Sequence, residues 1–180
     1  DGAGISCSLS ADAYLVALGS FSTALLRPLG VDVLVYPAKG YSVTFPVEFP
    51  DRAYSVSLTD DARKLVFSRL GERLRIAGTA ELGSNDTQLN TVRCASIVRR
   101  TLDLFPGIAK PEKAEFWAGL RPSTPSNVPY IGTTKFRNLY LNTGHGTLGW
   151  TQACGSAHAI AEIVSGRDPG IDFAFSGVNR

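Results

Sequence analysis

The stretch Asn138–Trp150, NLYLNTGHGTLGW, decides how this chain is read. Asn138–Asn142 alternate around Leu139 and Leu141 and predict a short buried strand. Gly144, His145 and Gly146 predict a turn. From Trp150 onward apolar residues fall at 150, 153, 154, 157, 160, 161 and 164, which predicts a long helix buried along that stripe. A strand, a glycine turn and a helix start aim backbone N–H groups and the positive helix end at an anionic or electron-rich ligand. Plain topology accounts for the same pattern, so a second segment has to decide. That segment is Phe116–Gly132, FWAGLRPSTPSNVPYIG, a short way upstream.

Composition sets the bounds. The 180 residues are 44% apolar and 19% charged, enough to bury a core in one domain or somewhat more. The net charge is +2 and the basic residues are scattered, which argues against a nucleic-acid surface. Cys7, Cys94 and Cys154 are odd in number, far apart and in no zinc or CxxC spacing, so free thiols and a reducing compartment are expected. No stretch approaches the roughly 20 apolar residues of a membrane span, and no signal peptide is recognisable.

Along the chain, Ile5–Leu9 and Ala13–Leu18 read as strands and Ser20–Leu26 as a short helix followed by Pro28. Val33–Tyr36 and Tyr41–Phe45 read as two strands separated by Pro37 and Gly40. Tyr54–Leu58, Lys64–Leu70 and Arg73–Glu81 read as an antiparallel meander turning at Thr59–Ala62 and Gly71-Glu72. A helix follows, capped by Ser84 or Asp86, with Leu89, Val92, Ala95, Val98, Leu102 and Phe105 as its buried stripe. Arg93, Arg99 and Arg100 read as its solvated face, and Pro106-Gly107 ends it. Glu115–Leu120 reads as a strand, and 121–129 as a proline-rich loop.

The motifs WAGLRP-x-TP-x-x-x-P-x-IG and TGHGTLGW, in that order, resemble the C-terminal end of a flavin-dependent amino acid oxidoreductase. The resemblance is to the D-amino acid oxidase/glycine oxidase superfamily, and within it to the small-subunit type of bacterial D-amino acid dehydrogenase. Ala11–Ser22, Leu25–Thr44 and Leu74–Leu82 extend it over nearly the whole chain. It implies an α+β and α/β fold. Residues 1–31 would be a tail segment of the FAD-binding domain, and 32–120 a substrate-binding domain with a mixed antiparallel sheet and a helix on one face. Residues 121–180 would be the C-terminal segment of the Rossmann-like FAD-binding domain. The family's dinucleotide fingerprint, G-x-G-x-x-G after a first strand, is read as absent. Gly2-Ala3-Gly4 precedes a predicted strand and opens no helix. With no methionine and a start at Asp1, the chain is expected to be a C-terminal portion lacking an N-terminal FAD-binding segment.

Candidate site residues follow. By its residue type Arg121 is either a surface cation capping a strand or a bidentate partner for a carboxylate. The resemblance implies the second, because the Arg in GLRP is the family's carboxylate anchor. Tyr54 is either a strand tyrosine at the edge of the core or, as the oxidase branch implies, a substrate contact. Tyr41 and Tyr130 are weaker candidates of that kind. The resemblance sets Gly144, His145, Gly146, Thr147, Leu148 and Gly149 against the flavin, and Gly19 where the chain passes the dinucleotide. Gly19 also reads simply as the end of a strand. His145 is read first as a structural histidine bonded to backbone, with a base or flavin contact as the other reading; His158 reads as a helix residue. Lys39, in PAKGY, is either near the flavin or exposed. Thr147 stands where glycine oxidase-like members carry an arginine, which points to the dehydrogenase branch.

The activity implied for the whole protein is oxidative deamination of D-amino acids to 2-oxo acids and ammonia, with FAD as cofactor. A respiratory quinone would be the electron acceptor. The setting implied is cytoplasmic, peripheral on the inner membrane; a homo-oligomer is left open. An oxygen-using glycine or sarcosine type of amine oxidase is the alternative, as is a non-enzymatic remnant without its cofactor domain.

Overall fold

The computed structural model describes residues 8–83 and 85–174. In chain order the elements are β1 (Tyr14–Val16), α1 (Ser22–Leu26), β2 (Tyr36–Pro46), β3 (Leu58–Asp60), β4 (Leu65–Leu70) and β5 (Arg73–Glu81). They continue with α2 (Thr91–Leu104), β6 (Glu115–Ser123), β7 (Tyr130–Thr133), β8 (Leu139–Thr143) and α3 (Gly149–Val164). The chain divides into two compact units, one made of its two ends, up to Tyr36 and from Pro122, the other of Pro37–Arg121. Sequence reading set these divisions at 31/32 and 120/121. Most of the strand expected at Ile5–Leu9, and Cys7 with it, lies outside the described residues; Ser8 and Leu9 are in no strand.

In the first unit β1 pairs in parallel with β8, Tyr14 opposite Leu139, and β8 pairs antiparallel with β7. Val16, Leu26, Val31, Val33, Val35, Leu139 and Leu141 form its main core. The strand expected over Val33–Tyr36 does not form. The valines still alternate with exposed neighbours, but their polar backbone is met by side chains. Thr23 Oγ1 lies 3.2 and 3.0 Å from the carbonyls of Val33 and Val35, and Leu34 N donates to Tyr130 Oη at 3.3 Å. Ladder partners are therefore not needed to satisfy it.

Helix α3 packs on the sheet through Ser156, Ala159 and Ile160, and of the predicted stripe only Ile160 is buried. Trp150 is 96% exposed and Cys154 is also exposed. The helix is small or apolar nearly all round, so periodicity alone does not choose its face.

The second unit is a five-stranded sheet in the order β3-β4-β5-β2-β6, with α2 against one face. Tyr41, Val43, Phe45, Leu65, Phe67, Leu74 and Ile76 point to the helix side and are almost wholly buried. β2 runs unbroken through Pro37 and Gly40, contrary to the two strands expected. Pro37 precedes the first pair with β5, Lys39 opposite Glu81, so its missing N–H breaks nothing in that ladder. Gly40 is the single β2 residue opposite Thr79 and Ala80, where the register shifts between Lys39 and Tyr41, so the bulge lies on β5, with Thr79 at φ +55°. The meander begins at Leu58, not Tyr54, and β6 extends through Arg121 to Ser123 where a loop was expected.

α2 starts later than predicted. Asn90 caps it by accepting from Val92 N and Arg93 N, while Asp86 is engaged by Gln88 N and Lys39; Ser84 is outside the described residues. Its buried residues are Cys94, Ile97 and Thr101, with Val98, Leu102 and Phe105 partly buried; Val92 is exposed. Thr101 is tolerated inside because its hydroxyl donates to Ile97 O at 2.8 Å. Arg93 pairs with Glu81 at 3.1 Å and Arg100 with Asp60 at 2.6 Å, so only Arg99 matches the solvated face expected.

Lys39 is buried rather than exposed. Its Nζ lies 3.1 Å from Asp86 Oδ1, 3.1 Å from Gln88 O and 3.5 Å from Glu81 Oε1. Tyr41 Oη donates to Glu81 Oε2 at 2.6 Å. That hydrogen bond, followed by the charge of Lys39, holds the Glu81 carboxyl below its ordinary value of 4.5. Burial pulls the Lys39 ammonium down, but the Asp86 hydrogen bond and the nearby negative charges outweigh it and raise it above 10.5. A depressed acid stabilises the fold above its unfolded value and loses that as pH falls through its folded value. A raised base does so below its unfolded value and loses it as pH rises through the folded one. The melting temperature of the second unit should therefore fall below pH 4.5 and again above pH 10.5. Glu81→Gln should lower it at neutral pH and flatten the acid limb, measured by circular dichroism across pH.

Candidate functional site

In the first unit the glycine turn between β8 and α3 is tied down from both sides. Gly146 N donates to Pro122 O at 2.9 Å, and Leu148 N to His145 O at 3.0 Å. Thr143 Oγ1, at the end of β8, contacts Ser22 Oγ at 2.8 Å and donates to Gly19 O at 3.3 Å. Gly19 and Gly144–Gly149 thus share one end of this unit. Gly144 has φ +84°, and a β-carbon there would meet Thr124 Cγ2 at 2.7 Å. Gly146 has φ +55°, yet a β-carbon there would meet no heavy atom within 4 Å. Space stands open over that backbone, and Thr147 and Leu148 are exposed beside it. No side chain caps α3, so its first N–H groups keep their positive end uncovered by the helix's own cap.

Gly144-His145-Gly146-Thr147-Leu148-Gly149 is itself a G-x-G-x-x-G, the pattern read as absent. It follows a strand that pairs in parallel with β1 and it opens a helix, the local context that pattern needs. No strand follows α3 among the described residues, so the second half of a dinucleotide-binding βαβ unit is not formed here. His145 Nε2 lies 3.0 Å from Ser156 Oγ on α3, a side-chain contact where a backbone one was expected. Burial lowers its pKa, which favours the neutral ring. His158 is an exposed helix residue.

The second unit offers a different surface, the sheet face opposite α2. Arg121 lies across Gly40, in the space a β-carbon on that glycine would fill, and its Nη1 donates to Thr79 O at 3.3 Å. Thr79 holds φ +55°, and its buried hydroxyl has no hydrogen-bond partner among the described residues. The Trp117 ring lies over Gly119. Two glycines in the interior of strands, where packing residues are the norm, thus leave a flat floor under a guanidinium and an indole.

Tyr54 is elsewhere. It packs in the core on the helix side, its ring centroid 6.1 Å from Phe67 and 5.4 Å from Phe105. Burial pushes its phenol up to about 12, and its hydroxyl has no hydrogen-bond partner among the described residues. The structure does not bring it together with Arg121. Tyr41 is in the same core, bonded to Glu81, and Tyr130 belongs to the first unit. Sequence reading passed over Gly40, Thr79 and Trp117. The signal available was strand alternation with Tyr41, Ile76 and Ala118, which sets the interleaved residues on the other face.

Residues 2–163 match the family DAO, FAD dependent oxidoreductase. The chain belongs to that family. It is 62% identical over 167 residues to a D-amino acid dehydrogenase of Dechloromonas aromatica (strain RCB), covering 93% of this chain and 40% of the relative. To a D-amino acid dehydrogenase of Xanthobacter autotrophicus it is 50% identical over 171 residues, covering 95% and 41%. The chain therefore spans about two fifths of the length of these relatives. Among solved structures, glycine oxidase from Geobacillus kaustophilus superimposes with a TM-score of 0.83 at 26% identity, over 95% of this chain and 46% of that one. As a DAO-family chain it has FAD as its cofactor, and its fold is α+β. Among the described residues no group of acidic, cysteine and histidine side chains could hold a metal, and no helix is long and apolar enough to cross a membrane.

Proposed function

We propose that this chain supplies the carboxylate anchor and part of the cofactor cradle of an FAD-dependent D-amino acid dehydrogenase. The observation that carries this is Arg121 set across Gly40 on an open sheet face, in a chain 62% identical to an enzyme of that name. Its flat fork binds the substrate carboxylate through two parallel hydrogen bonds, which fixes the α-carbon in position and orientation. Desolvation, followed by the charge of Arg75, depresses the Arg121 guanidinium, so an anion there relieves both penalties. FAD would supply the two-electron acceptor for the hydride leaving the substrate α-carbon.

Gly19 and Gly144–Gly149 would hold it, through backbone N–H groups at the start of α3 and with open space over Gly146. A substrate amine that enters neutral needs no side-chain base. Water then converts the imino acid to a 2-oxo acid and ammonia. The reading includes a quinone as acceptor and a place on the inner face of the membrane, supported by the relatives being named dehydrogenases and by Thr147 in place of an arginine. The test is the FAD-loaded full-length enzyme with D- and L-alanine under air and under a quinone. Expected are bleaching and pyruvate with D-alanine and fast reoxidation by the quinone; turnover of L-alanine alone would overturn the reading.

Gly146→Val separates a cofactor contact from a backbone requirement. At φ +55° any side chain strains the turn, so the melting temperature should fall, by about 1 kcal/mol or more of stability. If the turn also stabilises charge on the reduced cofactor, the midpoint potential should fall with it. A destabilised variant with an unshifted potential would withdraw Gly144–Gly149 from the flavin.

A further inference from the structure

The face that carries Arg121 carries a second cation. Arg75 alternates along β5 with Leu74 and Ile76, both fully buried on the helix side, so it points to the opposite face. Its Nη2 donates to Ser42 Oγ at 3.4 Å, and its guanidinium carbon lies 5.9 Å from the Trp117 ring centroid. Ser42 is two residues along β2 from Gly40, over which Arg121 lies. Two residues of strand span roughly 7 Å, which sets the scale of the separation between the two guanidinium groups. Trp117, under Arg75, leans over Gly119, the residue two before Arg121 on the same face of β6. Arg75, Trp117 and Arg121 thus form one continuous surface.

No acidic side chain pairs with Arg75 or Arg121 among the described residues. The sheltered carboxylates of this unit are committed elsewhere: Glu81 to Lys39 and Arg93, Asp60 to Arg100, Glu48 to Lys110 and Lys113. Two partly buried like charges within reach of each other cost free energy that a bridging dianion removes. Among the described residues each guanidinium makes one hydrogen bond to protein, and with five N–H donors each keeps a fork for a carboxylate.

We infer that Arg75, with Ser42 and Trp117, is a side-chain subsite that gives the enzyme a preference for D-amino acids with an acidic side chain. Arg121 takes the α-carboxylate and Arg75 takes the side-chain carboxylate, with the aliphatic linker along the indole. A side chain of glutamate length suits the separation better than one of a single methylene. This rests on the D-amino acid dehydrogenase reading above.

The experiment compares D-glutamate, D-glutamine and D-alanine as substrates of the FAD-loaded full-length enzyme carrying this chain, wild type against Arg75→Gln and Arg75→Lys. The expected result is a wild-type preference for D-glutamate over D-glutamine that Arg75→Gln reduces by about tenfold or more, with D-alanine changed by no more than about twofold. Arg75→Lys, which keeps the charge and loses the fork, should recover part of the preference. An equal fall for all three substrates, or an unchanged preference in Arg75→Gln, would overturn the subsite. If the wild type turns over no D-amino acid, the activity reading fails on its own. The subsite is then judged by titrating the protein with glutarate and butyrate. Tighter glutarate binding that Arg75→Gln abolishes upholds it, and equal binding of the two overturns it.

Discussion

Arg121→Lys should lower kcat/KM for every D-amino acid while leaving flavin content and melting temperature unchanged. The guanidinium offers two parallel N–H donors in a plane, and an ammonium offers a single point of charge. Losing one charge-assisted hydrogen bond costs about 1.5–3 kcal/mol, a factor of about ten to a hundred in the rate constant. Arg121 also holds Thr79 O, a weak 3.3 Å contact on a strained residue, so the fold loses little with it. Steady-state kinetics, with flavin absorbance as the control for loading, measures this. Unchanged kinetics would remove Arg121 from the site.

Gly40→Val should produce a loss of similar size without touching a charged group. The backbone at Gly40 is not in the left-handed region, so a side chain there carries no conformational penalty of its own. Valine also suits a strand. Its β-carbon would, however, occupy the space of the Arg121 guanidinium. A long flexible side chain gives way before backbone does, so Arg121 moves and the sheet stays. The expected outcome is an unchanged or slightly raised melting temperature with kcat/KM down by about ten- to a hundredfold, in line with displacing the anchor. A variant that melts early and keeps its kinetics when folded would show that Gly40 serves the sheet alone.

How far the chain could be read depended on whether a pattern was local. The strand, glycine turn and helix at 138–164 were legible because turn chemistry and period changes are local signals. So was the meander's β4 and β5, where Leu74 and Ile76 alternate with Arg75 and Ala77. Faces were harder. In α2, Thr101 is buried and Val92 exposed, because an intrahelical hydrogen bond satisfies one and no partner covers the other. Breaker residues misled at β2, where Pro37 lies ahead of the ladder and Gly40 faces a bulge on β5 and makes room for a neighbouring side chain. Asp86 looked like a cap and is a counter-ion to a lysine from a distant strand, a pairing only the fold reveals. Tyr54 and Arg121 were both legible as candidates, but nothing in the sequence says that a sheet separates them. Arg75, Trp117 and the two glycines were passed over because their shared face appears only once the order β5-β2-β6 is known.

The placement of the second unit within the chain has a consequence for how the molecule is made. The ladder between β1 and β8 joins residues from opposite ends of the described chain, with the whole of Pro37–Arg121 strung between them. Closing so long a stretch while it is a random coil is opposed by its entropy, and parallel pairing of distant strands is slow for the same reason. The intervening stretch contains its own core and can collapse first. Its outermost segments, β2 and β6, are hydrogen-bonded neighbours, and Arg121 at its end lies across Gly40 near its beginning, so once it is folded the two points where the chain leaves it are held close together. The long tether then acts as a short one. Conditions or substitutions that unfold the inserted sheet should therefore also slow the assembly of β1 on β8, although no side chain of that ladder has been altered.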